Sequence, residues 1–170
     1  MADENHVRVR GTHQGDTSTP AAGLRPWIWA SIVLCLSGIG VSGYLSAKRL
    51  MGGSLACSRW AQCDTVNNSP YAKIAGVPVA FIGLVGYFVL LAVCLAALQR
   101  EGRPQRSLLL FGFLGALCGV AFSIYLTYLE LYVIEAICSW CVASAIIITL
   151  LATAGGVGLR RAGRSGLVSE

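Results

Sequence analysis

Residues 74–98 read IAGVPVAFIGLVGYFVLLAVCLAAL, 25 consecutive positions without a charge. A helix needs roughly 20 apolar residues to cross the ~30 Å of hydrocarbon in a bilayer, so this run is long enough to span one. Three further stretches have the same character: Pro26–Ala47, Ser107–Leu129 and Ala136–Leu159. Around them the composition agrees, with 55% hydrophobic residues, 12% charged and a mean hydropathy of +0.67. A soluble domain carries about 25% charged residues and could not be solvated with so few. The reading is an all-α integral membrane protein, a bundle of four transmembrane helices with an outer cap loop between helices 1 and 2.

The organisation follows from these runs. Residues 1–25 form a mixed-charge tail with no periodicity and are expected to be disordered. Residues 26–159 make the four-helix transmembrane catalytic domain, with residues 49–73 as its outer loop, and residues 160–170 make a second tail. The first apolar run is too long for a signal peptide and has no small-residue cleavage site, so it is read as a retained helix. His6 and His13 read as solvated tail residues. An even number of spans puts both termini on one side. Nine basic residues share that side: Arg8, Arg10, Arg25, Arg100, Arg103, Arg106, Arg160, Arg161 and Arg164. Lys48, Arg49, Arg59 and Lys73 lie on the other. The positive-inside rule then places both termini in the cytoplasm of a plasma-membrane protein, with the long loop outside. The net charge of +5 fits this bias and anionic headgroups, and no nucleic-acid motif accompanies it.

Seven cysteines carry the chemical signal. Cys35, Cys94 and Cys118 fall inside helices and read as isolated small hydrophobes. The other four form two pairs toward the outer face. Cys57-Ser58-Arg59-Trp60-Ala61-Gln62-Cys63 closes only a small ring, which stabilises a fold least, and Arg59 favours thiolate. Cys138-Ser139-Trp140-Cys141 is a CxxC at a helix start, where the positive helix end favours the Cys138 thiolate. A static staple or a four-thiolate zinc or iron site is formally open for these pairs. No carboxylate or histidine that would support such a metal site is evident in the sequence, so a thiol–disulfide relay fits better. Gly38, Gly40 and Gly43 are expected to pack helix 1 closely on the site, and Gly115 with Gly119 forms a GxxxG spacing that suits a compact bundle.

With these residues in order, the chain resembles the vitamin K epoxide reductase family in its bacterial disulfide-generating form. The resemblance covers roughly residues 27–159. It rests on Cys57 and Cys63, then Cys63-Asp64-x-Val66-x-x-Ser69-Pro70-Tyr71-Ala72, then Gly76-Val77-Pro78, and finally Cys138-Ser139-Trp140-Cys141. It implies a quinone, menaquinone or ubiquinone, held in the bundle under the outer loop. It also implies a thioredoxin-like partner outside the cytoplasm, separate because residues 160–170 are too short to form one. Carried across, Cys57 exchanges with that partner, Cys63 exchanges with Cys138, Cys141 faces the quinone and Ser69 helps order the loop beside it. The chain departs from animal members at two places. Ala145 stands where they carry Tyr, and Pro78-Val79-Ala80 stands where they carry Asn, so quinone hydrogen bonding by those side chains does not transfer. An unrelated type of four-span thiol oxidase has its CxxC in the first loop, the reverse of the order here. The remaining alternatives are a quinone or vitamin K epoxide reductase drawing on another thiol donor and a non-enzymatic tetraspan protein binding metal through the four cysteines.

Overall fold

A computed structural model describes residues 24–59, 61–100 and 103–167. The tail expected over residues 1–25, with His6, His13, Arg8 and Arg10, lies outside the described residues except for its last two. Four long helices dominate: α1 (Arg25–Met51), α3 (Val79–Gln99), α4 (Arg103–Tyr132) and α5 (Ser139–Leu167). Between α1 and α3 lie a short helix α2 (Cys63–Asn68), a 3-10 turn (Pro70–Ala72) and a two-stranded antiparallel hairpin, β1 (Lys73–Ile74) and β2 (Val77–Pro78). Each long helix is long and apolar enough to cross a membrane.

The helix ends follow local chemistry. Pro26 stands at the start of α1, where its missing N–H costs nothing. Gly52 closes α1 in the left-handed region at φ 64°, its N–H bonded to the Lys48 carbonyl, and Lys48 and Arg49 sit against the negative helix end. Helix α3 starts five residues later than the apolar run does. Residues 74–78 form the hairpin instead, turning at Ala75 (φ 49°) and Gly76 (φ 85°), and Pro78 precedes the first helical turn. Helix α4 extends past Leu129 to Tyr132, so Glu130 belongs to a helix and not to the link into α5. Helix α5 continues beyond Leu159 to Leu167, and the Arg161 guanidinium lies 5.1 Å from the Trp27 ring of α1.

Packing is cyclic: α1 contacts α3 and α5, and α4 contacts α3 and α5. The bundle centre is filled by Cys35, Tyr87, Leu90, Ala116, Ile148, Leu151 and Ala152. Large apolar side chains such as Val85, Phe88, Phe111, Leu114 and Ile124 point outward. Such a surface suits lipid, because a water-soluble monomer rarely exposes so much contiguous apolar area. Two close approaches set the helix spacing. A Cβ at Gly38 would overlap the Tyr87 ring, and one at Gly119 would lie 2.8 Å from Ile148 Cγ1. The GxxxG glycines serve different neighbours, since Gly115 faces Leu90 of α3 while Gly119 faces α5. Of the glycines expected to pack α1 on the site, only Gly38 makes a tight approach; Gly40 has nothing within 4 Å. Cys35 and Cys94 are not isolated, for their thiols interact across α1 and α3.

Candidate functional site

The end of the bundle formed by the C-termini of α1 and α4 and the N-termini of α3 and α5 gathers every expected site residue. Its core contains Leu45, Leu55, Cys63, Val66, Ala136 and Cys138, with Cys57, Trp140 and Cys141 packed against it. Cys57 and Cys63 form a disulfide, their Cα atoms 6.2 Å apart, while Cys138 and Cys141 are free thiols. Cys63 is 1% exposed and Cys138 is fully buried, whereas Cys57 is only partly buried.

The segment between α1 and α3 is held onto the start of α5 by paired contacts. The Gln62 N–H, next to Cys63, donates to the Ile137 carbonyl, next to Cys138, at 2.9 Å. The two residues inside the CxxC grip the residues flanking Cys57. Trp140 Nε1 donates to the Ala56 carbonyl at 2.8 Å, and Ser139 Oγ donates to Ser58 Oγ at 3.2 Å. Trp140 also packs on Tyr44 of α1, ring centroids 4.9 Å apart, and the Tyr44 hydroxyl accepts the Ala56 N–H at 3.1 Å. Asp64 Oδ1 accepts the Leu55 N–H at 2.9 Å, and Arg49 donates to Asn67 O and Asn68 Oδ1. Each neutral hydrogen bond contributes about 1 kcal/mol net, so the register of the two cysteine pairs rests on their number.

Below the CxxC lies a cavity of about 540 Å³ between α1, α3, α4 and α5, with an overwhelmingly apolar wall. Its size falls in the usual range of small-molecule and cofactor sites. Cys141, Ser69, Tyr87, Glu130 and Ser144 supply sulfur and oxygen to that wall, and Cys118 also borders it. Ser69 Oγ is buried there without a hydrogen-bond partner, a condition normally relieved by a ligand or water. The Tyr87 hydroxyl bonds Ser144 O at 3.1 Å and Ser144 Oγ at 3.0 Å.

Glu130 is the residue the sequence reading missed. It is 5% exposed, and its Oε2 accepts the Cys138 N–H at 3.1 Å. The same carboxyl interacts with the Cys141 thiol. A carboxylate beside the CxxC therefore does exist, contrary to the expectation. Its sequence signal was the unbroken helical run from residue 107 into Leu131-Tyr132, which carries Glu130 inside the bundle. The Cys138 thiol is held below its ordinary value, first by hydrogen bonding with Cys141 and then by backbone N–H groups of Cys141 and Trp140. Burial and the Glu130 charge oppose that shift. Among the described residues no group of three or more His, Cys, Asp and Glu side chains is placed to hold a metal ion.

The pattern of vitamin K epoxide reductase family sequences matches residues 29–154, a segment holding all four of these cysteines. The chain belongs to the vitamin K epoxide reductase family. Membership makes it an oxidoreductase, and four long apolar helices agree with a multi-pass membrane protein. In this family member the cysteine pairs gather at one bundle end, and the largely apolar cavity, with the Tyr87 and Ser144 oxygens in its wall, opens beneath them.

Proposed function

We propose that the chain is a quinone-dependent thiol–disulfide oxidoreductase of the plasma membrane that supports disulfide formation outside the cytoplasm. Electrons enter from a separate thioredoxin-like protein at Cys57, pass from Cys63 to Cys138, and leave from Cys141 to a quinone, menaquinone or ubiquinone. The observation that carries this reading is one buried cluster in which a disulfide and a dithiol meet, with the dithiol bordering a 540 Å³ apolar cavity. The exposure order supports the direction of transfer, since Cys57 is the more accessible member of its pair and Cys63 is enclosed beside Cys138.

The residues of the cavity fit a quinone. The volume and apolar wall suit its ring and tail, and the partnerless Ser69 Oγ is a ready donor for a carbonyl oxygen. When bound, the quinone supplies an acceptor for two electrons and two protons. The protein's part is to hold the Cys138 thiol in a reactive state, keep water from the exchange, and clamp the outer segment through Trp140 and Ser139. The tilt of charge favours the cysteine end facing outward, and the apolar helices allow a lipid-soluble acceptor to enter sideways.

The test is anaerobic mixing of purified protein with a reduced thioredoxin-like dithiol and a soluble quinone analogue, following quinone absorbance. Cys57→Ala, Cys63→Ala, Cys138→Ala and Cys141→Ala should each reduce turnover to background, while Cys94→Ala retains it. Full turnover in Cys138→Ala or Cys141→Ala would overturn the reading.

A further inference from the structure

Glu130 is an acid built into an apolar wall. It stands on the last turns of α4, almost wholly enclosed, with its carboxyl between the backbone of Cys138 and the thiol of Cys141. It borders the same cavity as Cys141. Among the described residues no basic side chain pairs with it, and its charge is met only by the Cys138 N–H at the positive start of α5. A buried ion without a counter-charge is costly, and so is a second one beside it. The Cys138 thiol, the Cys141 thiol and the Glu130 carboxyl thus compete for a single negative charge, and a proton must move among them whenever the pair changes redox state. A purely structural role, receiving the first N–H of α5, would be served equally by the neutral amide of glutamine. The acid has a property the amide lacks: it can hold a proton.

We propose that Glu130 is the proton acceptor and donor of the Cys138–Cys141 pair. This inference rests on the redox reading above and adds a residue to it. In the dithiol state the single negative charge sits on the Cys138 thiolate, with Cys141 a thiol and Glu130 a carboxylic acid. On oxidation, Cys138 and Cys141 form the S–S bond, the Cys141 S–H bond breaks, and the charge passes to Glu130, left as the carboxylate. The two electrons pass to the quinone-class acceptor, which also takes up two protons, one from Cys141 and one from Glu130. The sum is one thiolate, one thiol, one carboxylic acid and one quinone giving one disulfide, one carboxylate and one hydroquinone. On reduction, the Cys63 sulfur forms an S–S bond to Cys138, the Cys138–Cys141 bond breaks, and the two protons of the Cys57–Cys63 dithiol restore the Cys141 thiol and the Glu130 acid.

The test needs no quinone turnover. The full chain in lipid nanodiscs is cycled with a dithiothreitol redox buffer, and redox-difference infrared spectra are recorded in the region of protonated carboxyl groups. Wild type should show a carboxyl band that changes with the redox state of the pair. Glu130→Gln should lose the band, Glu130→Asp should shift it, and Glu135→Gln, a change at an exposed residue, should leave it in place. Glu130→Asp keeps the test decisive if the glutamine variant does not fold. A pair that cycles with no carboxyl change, or with the same change in Glu130→Gln or an unshifted one in Glu130→Asp, overturns this inference alone. A pair that cannot be cycled between dithiol and disulfide overturns the redox reading together with it.

Discussion

At Cys138 the backbone and the thiol are held by different groups. The N–H is taken by Glu130, while the thiol is drawn below its ordinary value of 9.0 chiefly by Cys141. The direction has a consequence for the reduced protein. A group whose folded pKa is depressed adds stability above its unfolded value and loses it as pH falls through the folded one. Unfolding of the reduced form should therefore become harder as pH rises from the folded value toward 9.0 and then level off as far as this group is concerned. Denaturation of wild type against Cys138→Ser across that window checks it, and a difference independent of pH sinks it. The four cysteines that gather at one bundle end were legible in their short spacings, and Ser69, which borders the cavity, in the wider motif. Glu130, Tyr87 and the grip of Trp140 were not. The Trp140–Ala56 bond spans 84 positions and the Tyr87–Ser144 bond 57, and no local pattern encodes such meetings.

Among the elements, helices α1 and α3 meet through a glycine that has no room for a methyl group. Gly38 admits the Tyr87 ring, and that ring carries the hydroxyl that reaches Ser144 in the cavity wall. Gly38→Ala should cost about 1–3 kcal/mol through overpacking, displacing Tyr87. Gly40→Ala, two positions on with open space around it, should be neutral or slightly stabilising, since alanine is the better helix former. Thermal unfolding of the two variants in the same detergent separates them; equal midpoints would show that the approach at Gly38 is unimportant. The four long helices were visible in the sequence because each apolar run exceeds the length of a bilayer crossing. Their ends were less so. Ala75-Gly76 turns the chain inside an uncharged run, Glu130 looks like a link residue although the helix continues beneath it, and six-residue α2 is too short to show a period.

For the whole molecule, the two ends of the bundle differ in charge as much as in chemistry. Among the described residues, Arg25, Arg100, Arg103, Arg106, Arg160 and Arg161 lie toward the end away from the cysteines, against Lys48, Arg49, Arg59 and Lys73 at the cysteine end. Short loops rich in Arg and Lys resist translocation, so this asymmetry should orient the bundle with the cysteine pairs outside. The redox chemistry favours the same orientation, because a disulfide persists in an oxidising compartment and is reduced in the cytosol. A C-terminal fluorescent protein should accordingly light up in cells, and alkaline phosphatase at the same position should stay inactive. A cysteine placed at Ser54, exposed in the loop, should react with a membrane-impermeant maleimide added to intact cells. Active phosphatase at the C-terminus together with an unlabelled Ser54→Cys would invert the molecule. The cysteine relay would then face the reducing side, and a role in making disulfides outside the cell would fall even if every step within the site were right.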